Sequence, residues 1–171
     1  ALAQYDLALN VKADDVRALT SSAAVLDKQG KTDEARVRLE KARAAGDAGA
    51  ALMLAGFLQQ HGKGDEALAV LDAELQKQPA NLAFVRAKAQ LHIARKETDK
   101  AMALYGQLEA ANPWNGIMER TRAWLALGEL DKAEETARRL IALSPDKSQS
   151  YLPLAAILEA RKDRVGAEEM L

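Results

Sequence analysis

Two histidines and no cysteine bound the acid–base and metal chemistry open to this chain. His61 stands just ahead of Gly62, with Asp65 and Glu66 close behind. A carboxylate that orients an imidazole base would be spaced this way. The expected role is plainer, a solvated histidine where a helix turns, because no nucleophile accompanies it. His92 falls at an inward position of an apolar helical pattern. Buried and titrating, it would act as a switch; packed and hydrogen-bonded within a core, it would be structural, and that is the expected reading. No His-x-x-x-His pair occurs, and no carboxylate pair shares a metal-ligand spacing with a histidine. Glycines stand singly, Gly62 and Gly64 being the nearest pair, so no loop is built to cradle phosphate. Without cysteine there is no disulfide, thiolate metal site or cysteine nucleophile. No catalytic residue, metal ligand or cofactor is expected, and the chain is read as a non-enzyme.

Composition narrows the class further. Roughly a fifth of the 171 residues are alanine, aromatics make up 4%, and proline occurs four times. Alanine loses no side-chain entropy in a helix, so the chain favours helix nearly everywhere. With few bulky anchors, helices must pack closely over small side chains. Lys+Arg 24 against Asp+Glu 25 gives a net charge of −1. That balance argues against nucleic acid or an anionic membrane surface as partner. No apolar run approaches the roughly 18 residues of a membrane span, and no signal peptide opens the chain. Both bacterial periplasm and cytoplasm stay open as compartments.

The elements that position these residues follow a repeat. Ala1, Ala35, Ala67, Ala101, Ala133 and Ala167 are separated by 34, 32, 34, 32 and 34 residues. They sit in the related phrases TDEAR, GDEAL, TDKAM, LDKAE and RVGAE. Four residues on stand Tyr5, Leu39, Leu71, Tyr105, Ala137 and Leu171. Twelve before the alanine stand Ala23, Ala55, Ala89, Thr121 and Ala155; five before it, Gly30, Gly62, Lys96, Gly128 and Lys162. Twelve after it come Ala13, Asp47, Pro79, Pro113 and Pro145. A period of this length marks stacked helix pairs. Each unit reads as a helix A with a small residue inside, a turn suited to glycine, a helix B opening near the alanine, and a break that proline enforces.

This pattern predicts helices over 1–12, 16–29, 33–45, 48–61, 65–78, 82–95, 98–111, 115–127, 131–143, 149–161 and 164–171. Caps are expected at Asp14 or Asp15, Asp33, Asn81, Thr98, Asn115 and Ser148. In 48–61, Ala51, Leu54, Ala55 and Leu58 share a face; in 65–78, Ala67, Val70, Leu71 and Leu75 do. Glu66, Asp72 and Glu74, and the run 33–38, read as a wet outer face. Trp124 reads as core between helices A and B, and Trp114 as half exposed at a unit junction. A weaker rhythm of 66 residues pairs ARKETDKA with ARKDRVGA. Duplication of a helix quartet and chance within a degenerate repeat both explain it.

With repeat starts at Val16, Ala48, Leu82, Trp114 and Ser148, the pattern resembles the tetratricopeptide repeat over the whole chain. The phrases GDEALAVLDAELQKQP and GELDKAEETARRLIALSP carry the likeness best. The resemblance implies an all-α fold, a right-handed α-solenoid of stacked antiparallel helix pairs forming a superhelix. It implies full repeats at 16–47, 48–81, 82–113 and 114–147, with partial repeats at 1–15 and 148–171. Two units are two residues short. Lys88 and Arg120 stand where the family has leucine, His92 replaces a tyrosine-like position, and Thr121 replaces the small residue. Pro153 is tolerable if its helix opens near Tyr151.

In that family the A helices line a concave face. Repeat numbering then points Arg17, Thr20, Ala24 and Asp27 at the groove, followed by Gly49, Leu52, Gly56 and Gln59. Ala83, Arg86, Gln90 and Ile93 come next, then Asn115, Met118, Arg122 and Leu125, and finally Gln149, Leu152, Ala156 and Glu159. Of these, Arg17, Thr20, Leu52, Gln59, Arg86, Gln90, Asn115, Met118, Arg122 and Gln149 are the expected partner-binding residues. The family's carboxylate clamp is not expected, because Ala24, Gly56 and Gln90 stand in place of its asparagines. What the resemblance implies is a non-catalytic scaffold that binds a protein or peptide. A looser likeness to alanine-rich bacterial repeat proteins points to cell-envelope assembly, secretion or polysaccharide export. The alternative is a targeting or regulatory segment of a larger enzyme such as a glycosyltransferase. The chain starts and stops mid-unit, so it is expected to be a fragment of a longer array or to have its ends covered by another chain, and in isolation to self-associate through uncapped ends.

Overall fold

The computed structural model describes residues 2–169. Ala1 and Leu171, the outermost positions of the repeat, lie outside the described residues. Among the described residues the chain forms eleven α-helices and no strand. They are α1 (Leu2–Val11), α2 (Val16–Lys28), α3 (Thr32–Ala44), α4 (Ala48–Gln60), α5 (Gly64–Lys77) and α6 (Leu82–Ala94). Then follow α7 (Thr98–Ala111), α8 (Pro113–Ala126), α9 (Leu130–Leu143), α10 (Leu152–Ala160) and α11 (Arg164–Glu169), with a short 3-10 turn, Ser148–Ser150, before α10. None of these helices is long and apolar enough to cross a membrane.

The chain forms two compact units, 1–87 and 88–171, which divide within α6. In the first, α1 packs on α2, α2 on α3, α3 on α4 and α4 on α5. In the second, α7 packs on α8, α8 on α9, α9 on α10 and α10 on α11. Within each unit the architecture is a stack of helix pairs.

One local device repeats at every A-to-B turn. Gly30, Gly62 and Gly128 take φ of 75°, 75° and 76°, and Lys96 and Lys162 take 60° and 66°. The left-handed residue donates its N–H to the carbonyl three before it, as in Gly62 to Gln59 at 3.1 Å. The next residue donates five back, as in Lys63 to Leu58 at 2.8 Å. This paired closure satisfies carbonyls that the helix end leaves open. That same next residue is also the N-cap of helix B. Its carbonyl accepts the N–H of the phase alanine: Lys31 from Ala35, Lys63 from Ala67, Glu97 from Ala101, Glu129 from Ala133 and Asp163 from Ala167, at 2.9–3.2 Å. The alanine thus sits in the first turn of the second helix, fully buried. Ala35, Ala67, Ala101 and Ala133 are 0% exposed.

The double duty of the turn corrects several expected caps. Lys31 and Glu97, not Asp33 and Thr98, hold the cap positions of α3 and α7, and neither caps through its side chain. A three-residue turn gives one residue both jobs, so its type answers to the turn. Asp33 instead lies in the first turn of α3, where its charge suits the helix dipole. Ser148 opens the 3-10 turn behind Lys147, with no side-chain cap. Side-chain caps do appear at the B-to-A connections. Asp15 accepts from Ala18 N at 2.8 Å, Asp47 from Ala50 N at 2.7 Å and Asn81 from Ala83 N at 3.1 Å. Asn112 accepts from Asn115 N at 3.0 Å. Asn115 is therefore not a cap; α8 opens two residues before the expected 115, with Pro113 in its first turn. A proline there needs no internal donor, as holds for Pro153 in α10.

The predicted face of α4 is the buried one, and so is that of α5 except Leu75, which is half-buried. Ala51, Leu54, Ala55 and Leu58 are 1–2% exposed, and Ala67 and Leu71 are 0%. Full burial of each leucine contributes about 1.5–3 kcal/mol. Thr121 is tolerated at the small-residue position because its hydroxyl donates to Ile117 O at 2.8 Å, so no buried polar group is left open. Trp124 packs on Ala133, Ala137, Leu154 and Ile157.

Candidate partner-binding grooves

Two hollows lie between consecutive A helices, one in each unit. In the second unit α8, the 3-10 turn and α10 enclose a groove of about 500 Å³. Its wall is mostly apolar: Trp114, Met118, Leu125, Leu152, Pro153 and Ala156, with Thr121, Arg122 and Gln149 among them. Trp114 is fixed by its indole N–H, which donates to Ser150 Oγ at 3.1 Å, and Lys147 Nζ lies 4.8 Å above its ring. Ser150 is wholly buried, so the short turn before α10 serves to pin the tryptophan. Leu152 is 53% exposed at the rim. The Arg122 side chain is 64% exposed and only loosely paired, 3.7 Å from Glu119. The rim is therefore cationic over an apolar floor.

In the first unit α2 and α4 border a smaller hollow, about 220 Å³, walled by Ala23, Ala24, Asp27, Leu39, Met53, Gly56, Phe57 and Gln60. A third recess of about 640 Å³ lies between the B helices α1 and α3, with Leu9, Val37 and Lys41 among its walls and Arg38 paired to Asp6 at 2.6 Å.

Of the expected binding residues, Met118, Arg122 and Gln149 meet in the α8–α10 groove. Met118 is 6% exposed, a floor more than a contact arm. Asn115 is exposed on α8 and outside that lining. Arg17 is exposed on α2, while Thr20 spends its hydroxyl on Val16 O at 2.8 Å. Leu52 and Gln59 are half-buried on α4, and Arg86 and Gln90 are exposed on α6. Trp114 as a groove wall was signalled by the Pro-Trp step alone. Phe57 and Met53 carried no signal separate from ordinary core patterning.

Both histidines are hydrogen-bonded. His61 does not pair with Asp65 or Glu66; its Nε2 lies 2.8 Å from Asp27 Oδ1 of the preceding A helix, and its ring sits 4.5 Å from that of Phe57. The turn carries Asp65 and Glu66 away onto α5, while stacking brings α2 alongside. His92 is buried and meets Glu97 Oε2 at 2.8 Å. Lys100, Arg95 and His92 all bond Glu97, and together they hold its carboxyl down at about 2.

Glu74 is also misplaced by the sequence reading: it is 7% exposed, not on the wet face. Burial pushes its carboxyl up, but bonds from Arg43 at 2.7 Å and Lys77 at 3.1 Å outweigh that and leave it below the ordinary range. Arg43 and Arg36 both reach from α3 to α5, the latter to Glu66 at 2.8 Å. Arg139 of α9 likewise bonds Glu109 of α7. B helices of neighbouring repeats are thus cross-linked by charge. No cluster of three metal-ligating side chains occurs among the described residues.

No protein-family model matches the chain. A curated relative is the tetratricopeptide repeat and J domain-containing co-chaperone DNJ1 of Fusarium oxysporum, 33% identical over 72 residues. That match takes in 41% of this chain and 14% of the relative's length. Among solved structures, a tetratricopeptide repeat protein from Parabacteroides merdae superposes with a TM-score of 0.73 at 17% identity, over 99% of this chain and 68% of its own. PilW, a type IV pilus biogenesis factor, superposes with a TM-score of 0.69 at 18% identity, over 98% and 80%. The fold is accordingly that of the tetratricopeptide repeat, an all-α solenoid of stacked helix pairs.

Proposed function

We propose that the chain is a non-catalytic protein-interaction scaffold whose α8–α10 groove holds a peptide segment pairing a large apolar side chain with an acidic group. The observation that carries this reading is the groove itself: an apolar floor of about 500 Å³ with Arg122 exposed at its rim. The apolar side chain would fill the space between Trp114 and Leu152, and desolvation there supplies most of the affinity. The acidic group would meet Arg122, whose planar fork suits a carboxylate. Gln90 and Asn115 are proposed as outlying contacts in the same unit, and Arg17, Thr20, Leu52, Gln59 and Arg86 as partner contacts of the first unit in their own right. Likeness to PilW gives some support to a role in bacterial envelope assembly. A second reading, a repeat segment within a larger polypeptide, is favoured by the co-chaperone match, where a like stretch is 14% of the whole.

Panning a randomised peptide display library on the purified chain tests the proposal. Enriched peptides should place Leu, Met, Phe or Trp within a few residues of Asp or Glu. Arg122→Glu and Leu152→Glu should each weaken the best binder about tenfold or more, since both positions are exposed and their loss leaves the fold intact. Failure to enrich any peptide, or binding indifferent to both substitutions, would overturn it.

A further inference from the structure

The first unit's hollow differs in chemistry from the groove just described. Asp27 is the charged group among its lining residues, and the rest of the wall is apolar or small apart from Gln60. The Asp27 side chain is 23% exposed, so it reaches solvent from a largely apolar setting. A carboxylate offers two oxygens and about four lone-pair sites, and His61 uses one oxygen. A single carboxylate is too few ligands for a metal ion. The hollow is small, about 220 Å³, against about 500 Å³ for the α8–α10 groove. Gly56 leaves one side open: a Cβ built there would meet nothing within 4 Å. A mostly apolar hollow with one largely buried carboxylate in its wall matches a side chain with an aliphatic stem and a cationic head.

We propose that the α2–α4 hollow receives one long basic side chain, lysine or arginine, of a partner protein. Its stem lies on Ala23, Ala24 and Gly56 and its head on the Asp27 carboxylate. This rests on the reading of the chain as a protein-interaction scaffold. His61 holds the carboxylate in place from the end of the adjoining helix, and Phe57, its ring tilted 47° to that of His61, lines the hollow.

The test uses a stand-in for the side chain alone, n-butylguanidinium, titrated into the purified 171-residue chain while NMR follows the Met53 methyl and the His61 and Phe57 rings. The expected result is saturable shifts at all three, with Kd of about 1–10 mM, as befits one anchored group without further contacts. Butyrate, with a like stem and the opposite charge, should give none. Asp27→Asn should weaken the cation about tenfold. Gly56→Leu, which fills the slot at an open helical position, should abolish the shifts while circular dichroism stays helical. Equal shifts from butyrate, an undiminished response in Asp27→Asn, or no shifts at all would overturn the proposal. Because the probe needs no peptide partner, its outcome is independent of the library selection on the other groove.

Discussion

Lysines do the work of glycine at two of the five A-to-B turns, at Lys96 and Lys162. A left-handed backbone costs a side-chain-bearing residue roughly 1–2 kcal/mol. Glycine avoids that cost but loses more freedom on folding, roughly 0.5–1 kcal/mol. Lys96→Gly should therefore stabilise the protein by about 0.5–1 kcal/mol in urea unfolding, and Gly62→Ala should destabilise by about 1 kcal/mol. Glu97, beside Lys96, sets a pH dependence. Its folded pKa of about 2 lies below the unfolded value of 4.5, so its stabilisation is whole above about 4.5 and fades as pH falls towards 2. Glu97→Gln should be less stable than the parent at pH 7, with the gap in melting temperature closing between about pH 4.5 and 2. The five turn positions were legible from spacing alone, because the same backbone need recurs at one phase. The partner of His61 was not, since stacking, not proximity in sequence, brings Asp27 to it.

At the scale of helices, tight approach decides more than side-chain chemistry. A Cβ on Gly116 would lie 2.2 Å from the backbone of Glu109, so α8 meets α7 there main chain against main chain. Gly116→Ala gains helix propensity, about 1 kcal/mol, but must push two helices apart; a net loss of about 2 kcal/mol or more is expected by thermal unfolding. Arg120 stands where leucine is usual, and it lies along α7 to Glu109 at 3.0 Å. Its Nη2 comes within 3.4 Å of where a Cβ on Gly106 would sit, so the glycine makes room for it. Arg139 remains to pair Glu109. Arg120→Leu should accordingly shift stability by no more than about 1 kcal/mol in either direction in urea unfolding. Helix positions were readable to within three residues, the largest difference being the start of α10 at Leu152 instead of 149, since apolar periodicity and proline breaks mark them. The caps of α3 and α7 were not, because the residue that closes the preceding turn, Lys31 or Glu97, takes the cap position. The need for Gly116 had no mark of its own among ten glycines.

Across the molecule, the class of fold was legible because one phase of small residues repeats at 32 and 34 residues and each repeat must bury its face on the next. The division within α6 carried no sequence mark, as no proline or glycine interrupts 82–94. The candidate site was legible in part. Met118 and Arg122 were legible because repeat phase sets them on one face of α8, whereas Gln149 reaches the groove from the turn Ser148–Ser150, whose Ser150 also fixes Trp114. The central claim is that the α8–α10 groove is the surface that holds a partner. Amide hydrogen exchange, measured on the chain with and without a saturating selected peptide, tests it most directly. Protection is predicted at the open ends of α8 and α10 and through residues 148–152. Protection confined to the B helices α7 and α9, with α8 and α10 unchanged, would contradict it.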